Sequence, residues 1–215
     1  MGSLSVVEAV TVDRLVAWLS AFRDAVHEHG AYLTELDSAI GDADHGANLI
    51  RGMDAVMAAV EPPPGNAGDL LKKVGMTLVT SVGGASGPLY GTFFLRIGTT
   101  AGAVAELDGP ALSEALRAGL AGVIQRGNAE PGDKTMVDAL TPALDAFDAA
   151  VGAGDDLAAA ARAAADAAAK GRDETEPLVA RKGRASYLGE RSAGHLDPGA
   201  TSTALLFESL AQALA

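Results

Sequence analysis

Apolar residues recur at intervals of three and four along most of this sequence, the spacing that lines one face of an α-helix. After Thr11, a fitting N-cap with Asp13 in the first turn, Val12, Leu15, Val16, Leu19, Phe22 and Val26 share a face. Gly30 reads as the residue that ends this helix, with His27 and His29 in its last turn and a short further turn over 32–40. The stretch 40–46, IGDADHG, has loop composition. A second helix is predicted over 47–60, stopped by Pro62, Pro63 and Pro64, and a third over 67–82. A fourth follows Pro88 to about 100, a fifth covers 110–125, and a sixth covers 136–151 with Pro142 placed to kink it or split off its first turn. The alanine-rich segment 155–171 reads as a stable seventh helix with a small-residue face for close packing, and 200–213 as an eighth. Between these last two lies a polar, glycine-rich stretch, 181–199, too long for a simple connection and of the kind that forms a functional lid or is disordered. Mostly short links between helices favour antiparallel neighbours. The pattern therefore predicts an all-α bundle of eight helices, read as one domain over 1–215.

Composition agrees with that pattern. Alanine makes up about a fifth of the chain and aromatics only 4%. One segment, 74–95, is uncharged and about the length of a membrane span, but its glycines and Pro88 break the helix that lipid would require. It reads as two buried helices and their link. The first fifteen residues lack the basic and apolar regions of a signal peptide, which points to a cytoplasmic protein. The net charge is −12 and there is no cysteine. The first disfavours nucleic acid and anionic membranes as partners. The second excludes disulfides, thiolate nucleophiles and cysteine metal sites.

Three stretches carry candidate chemistry. Asp37, Asp42 and Asp44 offer carboxylate oxygens of the kind that hold Mg²⁺, with the turn at Gly41 letting the last two swing toward the first. On spacing alone they read equally as solvated loop residues and an N-cap. His45 and Asn48 follow where a helix start would favour an anion, His45 serving as a phosphate or base contact or as a cap. Thr80, Ser81, Gly83, Gly84, Ala85 and Ser86 form a glycine-rich loop opening a helix, able to expose backbone N–H groups to an anion although it lacks a Walker A ending. The third stretch joins Gly127 and the loop to Met136 with Arg184 and the turn Asp197, Pro198, Gly199. There Arg184 suits bidentate phosphate pairing, Met136 suits a flat ring or simply the core, and Asp197 suits turn initiation. These stretches mean more together than apart, provided they meet at one end of the bundle.

The blocks LDSAIGDADHGANLIRGM, GMTLVTSVGGASGPLYGTFF, RGNAEPGDKTMVDAL and GRASYLGERSAGHLDPGATS closely resemble the L subunit of bacterial dihydroxyacetone kinase, in the family's order and over nearly the whole chain. The resemblance implies an eight-helix antiparallel up-and-down barrel with a nucleotide site at one end. It implies two Mg²⁺ ions on Asp37, Asp42 and Asp44, bridging the phosphates of ADP or ATP. His45, Asn48, Ala85 and Ser86 match positions that contact the nucleotide and its phosphates, with Thr80 and Ser81 on the same side. Gly127, Met136, Arg184, Asp197, Pro198 and Gly199 match the rest of the pocket. A separate K subunit would hold dihydroxyacetone on a histidine, which accords with the lack of a convincing nucleophile–base pair here; His195 reads as ordering the lid. In phosphotransferase-dependent members an M subunit rephosphorylates ADP in place, the mode that the free-standing chain and long lid favour. In ATP-dependent relatives, including kinases for other ketoses, the nucleotide exchanges. Some members also bind a transcription regulator, which leaves a nucleotide-loaded regulatory module as an alternative.

Overall fold

A computed structural model describes residues 9–215. Most of the segment read for a signal peptide lies outside the described residues. The chain forms α1 (Val12–Ile40), α2 (His45–Ala59), α3 (Ala67–Ser81), α4 (Ser86–Ala101), α5 (Gly109–Gly127), α6 (Val137–Ala153), α7 (Leu157–Glu174) and α8 (Pro198–Leu214). A 3₁₀ segment, Arg184–Ser192, runs through the stretch read as a lid and is broken at Gly189. Each helix packs on the next in sequence, and α8 packs back on α1, closing the ring. This is the all-α bundle that the hydrophobic pattern predicts, closed into the up-and-down barrel that the resemblance implies.

Alternation fixes where function can sit. The links α1–α2, α3–α4, α5–α6 and α7–α8 all fall at one end of an up-and-down barrel. The N-termini of α2, α4, α6 and α8 therefore converge there, each with the positive end of its dipole. The barrel interior is filled from opposite walls. Trp18 of α1 meets Phe94 of α4 with ring centroids 5.6 Å apart, Phe22 meets Tyr90 at 6.2 Å, and Trp18 donates its indole N–H to the Leu206 carbonyl of α8 at 2.9 Å. Side-chain caps from Thr11, Asn66, Asp108, Asp156 and Asp197 start α1, α3, α5, α7 and α8.

Several local expectations need correction. Gly30 does not end α1, which continues to Ile40 and leaves His27 and His29 in its middle. Gly30 marks a close helix crossing instead: a Cβ there would lie 2.6 Å from Ile50 Cδ1, and one on Gly46 would lie 2.0 Å from the Gly30 carbonyl oxygen. Pro142 sits inside α6 without dividing it. The segment 74–95 forms parts of α3 and α4 with their link, and among the described residues no helix is long and apolar enough to cross a membrane. Two-residue strands that the sequence pattern does not reveal, β1 (Val10–Thr11) and β2 (Glu106–Leu107), pair antiparallel at the start of α1, far from the α1–α2 link.

Candidate nucleotide and metal site

At the last turn of α1, Asp37 is only 8% exposed. Its Oδ2 accepts the backbone N–H groups of Asp44 at 2.8 Å and His45 at 3.1 Å, which folds the link back onto the helix end. Ala43 stands between Asp42 and Asp44 in a left-handed conformation, φ 61°, and supplies the reversal the sequence suggests for Gly41. Gly41 provides room: a Cβ there would lie 1.9 Å from Asp37 Oδ1. One carboxylate oxygen from each of Asp37, Asp42 and Asp44 lies within 4.8 Å of the others. Asp44 occupies the N-cap position of α2 but makes no capping bond, so the capping reading of its side chain fails. Arg184, which the sequence suggests for a phosphate, pairs with Asp42 instead, Nη2 to Oδ2 at 2.9 Å. Three clustered carboxylates facing one guanidinium leave negative charge uncompensated, and an all-oxygen set of this kind fits a hard divalent cation.

Beside the carboxylates, His45 is buried between two hydroxyls. Its Nδ1 is 3.0 Å from Ser86 Oγ and its Nε2 is 2.9 Å from Ser202 Oγ. Burial pushes the imidazole pKa down against the pull of Asp37 and Asp44. Behind it Tyr90 Oη lies 2.7 Å from Ser202 Oγ, and burial raises the phenol to about 12. The capping reading of His45 gives way to a fixed polar position.

The α3–α4 link turns through Gly84, φ 64°, and brings Gly83, Gly84, Ala85 and Ser86 to the same cavity. Asn48 lies under this loop and does not line the cavity: a Cβ on Gly83 would be 3.0 Å from its Oδ1. Arg51 ties the two, donating to Asn48 Oδ1 at 2.6 Å and to the Ser81 carbonyl at 2.9 Å. Thr80 is exposed and bonds back to the Met76 and Thr77 carbonyls. Thus Ser81 contributes only its main chain here, and neither it nor Thr80 lines the cavity.

The opposite wall comes from the α5–α6 link and the lid. Gly127, Met136, Arg184, Asp197, Pro198 and Gly199 all line a cavity of about 450 Å³ shared with Asp37, Asp42, Asp44, His45, Ala85 and Ser86. Asp197 caps α8 through Ala200 N–H at 2.7 Å, and its own N–H donates to Thr175 Oγ1. Burial drives its carboxyl up to about 7, with nearby Asp138 adding to the shift while the Ala200 amide and Lys134 oppose it. Lys134 is 1% exposed, and its Nζ, with three protons to donate, lies 2.9, 3.3, 3.0 and 2.6 Å from the carbonyl oxygens of Thr175, Glu176, Leu178 and His195. It therefore staples both roots of the lid to the barrel. His195 joins through its carbonyl, while its side chain is exposed. Sequence reasoning missed Lys134, Tyr90 and Ser202. The signal available for Ser202 was the run Thr201-Ser202-Thr203, hydroxyls on what otherwise reads as an apolar helix.

Known proteins align with this arrangement. Residues 39–212 match the family described as the DAK2 domain. The chain is 45% identical over 207 residues to the PTS-dependent dihydroxyacetone kinase, ADP-binding subunit DhaL, of Lactococcus lactis, covering 96% of this chain and 100% of that one. It is 46% identical over 204 residues to the PEP-dependent dihydroxyacetone kinase, ADP-binding subunit DhaL, of Escherichia coli, covering 93% and 96%. The crystal structure of the dihydroxyacetone kinase from C. freundii in complex with AMP-PNP and Mg²⁺ is similar with a TM-score of 0.72 at 29% identity. That similarity covers 98% of this chain and 36% of the larger kinase.

Proposed function

This chain belongs to the DAK2 domain family, and from that membership we propose that it is the ADP-binding subunit of a phosphotransferase-dependent dihydroxyacetone kinase. In this reading it is a cytoplasmic single domain over 1–215. It passes a phosphoryl group from bound nucleotide to dihydroxyacetone held by a separate K subunit, and an M subunit rephosphorylates the ADP in place. The observation that carries the reading is convergence: the acidic cluster, the glycine loop and four helix N-termini face one cavity. The names of the relatives above supply the nucleotide and the ketose.

Asp37, Asp42 and Asp44 would hold Mg²⁺, two ions in this reading. When bound, Mg²⁺ neutralises phosphate charge and orients the transferring group. The chain's own residues do the rest. The amides of the 83–86 loop and the Ser86 hydroxyl bind phosphate oxygens, with His45 behind them and Asn48 supporting the loop. Gly127 and Met136 present an apolar wall for the base, and the turn of Asp197, Pro198 and Gly199 brings the α8 N-terminus to the pocket. Arg184 exchanges Asp42 for a phosphate oxygen. No residue of this chain supplies a nucleophile, since the acceptor hydroxyl arrives with the ketose. The lid, stapled by Lys134, covers the nucleotide and slows its release.

A second reading keeps the fold and lets the nucleotide exchange; the AMP-PNP complex of the C. freundii kinase favours it. The test is to denature purified chain and identify any released nucleotide, then incubate intact chain with labelled ATP. Retained ADP that does not exchange, and product formation only with K and phosphorylated M, is expected. Rapid exchange and M-independent turnover supports the second reading. No product with K from either donor contradicts both.

A further inference from the structure

Along the cavity wall a file of polar side chains runs from Tyr90 through Ser202 and His45 to Ser86, crossing from α4 to α8 to α2 and back to α4. We infer that Tyr90 and Ser202 are positioning residues that fix His45 as its Nδ1–H tautomer and thereby turn the Ser86 hydroxyl proton outward, toward the bound phosphate. The inference rests on the nucleotide reading of the cavity for its ligand, but not for the tautomer.

Counting protons gives the direction. Ser202 Oγ has one proton and three neighbours: Tyr90 Oη at 2.7 Å, His45 Nε2 at 2.9 Å and the Gly199 carbonyl at 3.1 Å. The Gly199 oxygen already accepts from Thr203 Oγ1 at 2.8 Å and stands four residues before Thr203 in α8, where it takes that residue's amide. The Ser202 proton therefore goes to the nearer, open acceptor, His45 Nε2. Tyr90 Oη lies 2.7 Å from Ser202 Oγ and 3.3 Å from Thr203 Oγ1, which has spent its own proton on Gly199, so the Tyr90 proton goes to the nearer oxygen, Ser202. With Nε2 accepting, the single proton of a neutral imidazole sits on Nδ1 and is donated to Ser86 Oγ, 3.0 Å away. Ser86 keeps its own proton for the cavity. Every group in this file has one job, and each bond polarises the next in the same direction.

The opposite tautomer would reverse the outcome. Nε2–H would donate inward, Nδ1 would draw the Ser86 proton, and Ser86 would turn lone pairs toward an anion. The Pro198 carbonyl faces the imidazole and competes for a ring proton. With the Ser202 hydroxyl absent nothing donates to Nε2, which is then free to carry the ring proton while Nδ1 accepts from Ser86. Tyr90 is 1% exposed and Ser202 0%, so bulk water does not replace either partner.

The experiment is long-range ¹H–¹⁵N correlation on full-length chain labelled in histidine, measured in EDTA without nucleotide. Of the four histidines, His27, His29 and His195 are not buried, and changing these three to Gln leaves His45 as the sole signal. Nδ1 at the protonated shift and Nε2 at the bare shift is expected. In Ser202→Ala the two assignments exchange, and in Tyr90→Phe, a milder change that covers any folding failure of the first, the minor tautomer gains population. Mg²⁺–ADP binding weakens about 2- to 10-fold in Ser202→Ala, the worth of one hydrogen bond. Adding Ser86→Ala to Ser202→Ala costs less than Ser86→Ala alone, because both act through the same proton. An Nε2–H or doubly protonated ring in the unsubstituted Ser202 protein overturns the proposal, as does a tautomer indifferent to both variants. Unchanged nucleotide affinity in Ser202→Ala overturns the link to the ligand. Failure of the parent chain to bind Mg²⁺–ADP at all strikes the nucleotide reading, while the tautomer is still read directly.

Discussion

Asp197 and Lys134 are the residues whose environments most exceed what their types suggest. Asp197 has a folded pKa raised to about 7 by burial, against 3.8 ordinarily. The folded state therefore binds more protons than the unfolded state between those values, and this carboxyl's contribution to stability falls as pH rises from about 4 to about 7. Asn at this position keeps the α8 cap without the charge. Relative to the wild type, Asp197→Asn should gain melting temperature steadily across that window in EDTA and level off above it; a pH-independent difference would contradict the assignment. Lys134→Met removes the donor shared by four carbonyls. A loss of about 3 kcal/mol is expected in urea unfolding, since buried acceptors left unpaired cost roughly 1–3 kcal/mol each and water will reach some of them. Protease cuts should appear first in 175–196. The acidic cluster was legible only as a candidate, since on spacing alone its carboxylates also read as solvated loop residues and an N-cap; what the sequence does not show is that the fold brings one oxygen of each within 4.8 Å of the others. Lys134 was not, because a buried lysine inside a polar loop looks like any surface lysine until its acceptors, 41 to 61 residues away, are in place.

At the scale of the helix, glycine does most of the unseen work. Gly75 of α3 and Gly91 of α4 face each other: a Cβ on Gly75 would lie 2.7 Å from the Gly91 carbonyl oxygen. Helix propensity alone predicts that Gly75→Ala stabilises by about 1 kcal/mol. The contact predicts the opposite sign, a loss of roughly 1–3 kcal/mol by overpacking, which thermal unfolding will decide. The same ambiguity explains the misreading of Gly30. A glycine near a polar run looks like a helix end, but here it admits α2, and only the neighbouring helix reveals that. Element type was readable because the 3.6-residue period persists through nearly every segment. For a related reason Pro142 does not split α6: its cost to a helix is local, whereas the packing of α6 between α5 and α7 is collective.

For the whole molecule, the decisive rule is alternation. Eight consecutive antiparallel helices put four links at one end, and the motif-bearing stretches 37–48, 80–88, 127–136 and 181–199 are those links. That much could be read from order alone. How the lid folds could not, because its 3₁₀ turns and its staple depend on residues distant in sequence. The net charge of −12 also gains meaning at this scale. An acidic protein can hold a polyphosphate if the acid is concentrated where cations gather and helix N-termini supply the remaining positive field. Replacing Asp42 by Ala should then lower Mg²⁺–ADP affinity at least about 10-fold, while the melting temperature of the metal-free chain holds or rises as like charges are relieved.

The central claim, a metal-dependent nucleotide site at the end of the barrel, is tested most directly by calorimetric titration of ADP into nucleotide-stripped chain with Mg²⁺ and with EDTA. Binding with one nucleotide per chain in Mg²⁺, and its loss in EDTA, is the predicted result. Equal affinity in both conditions, or no binding in either, would contradict the account.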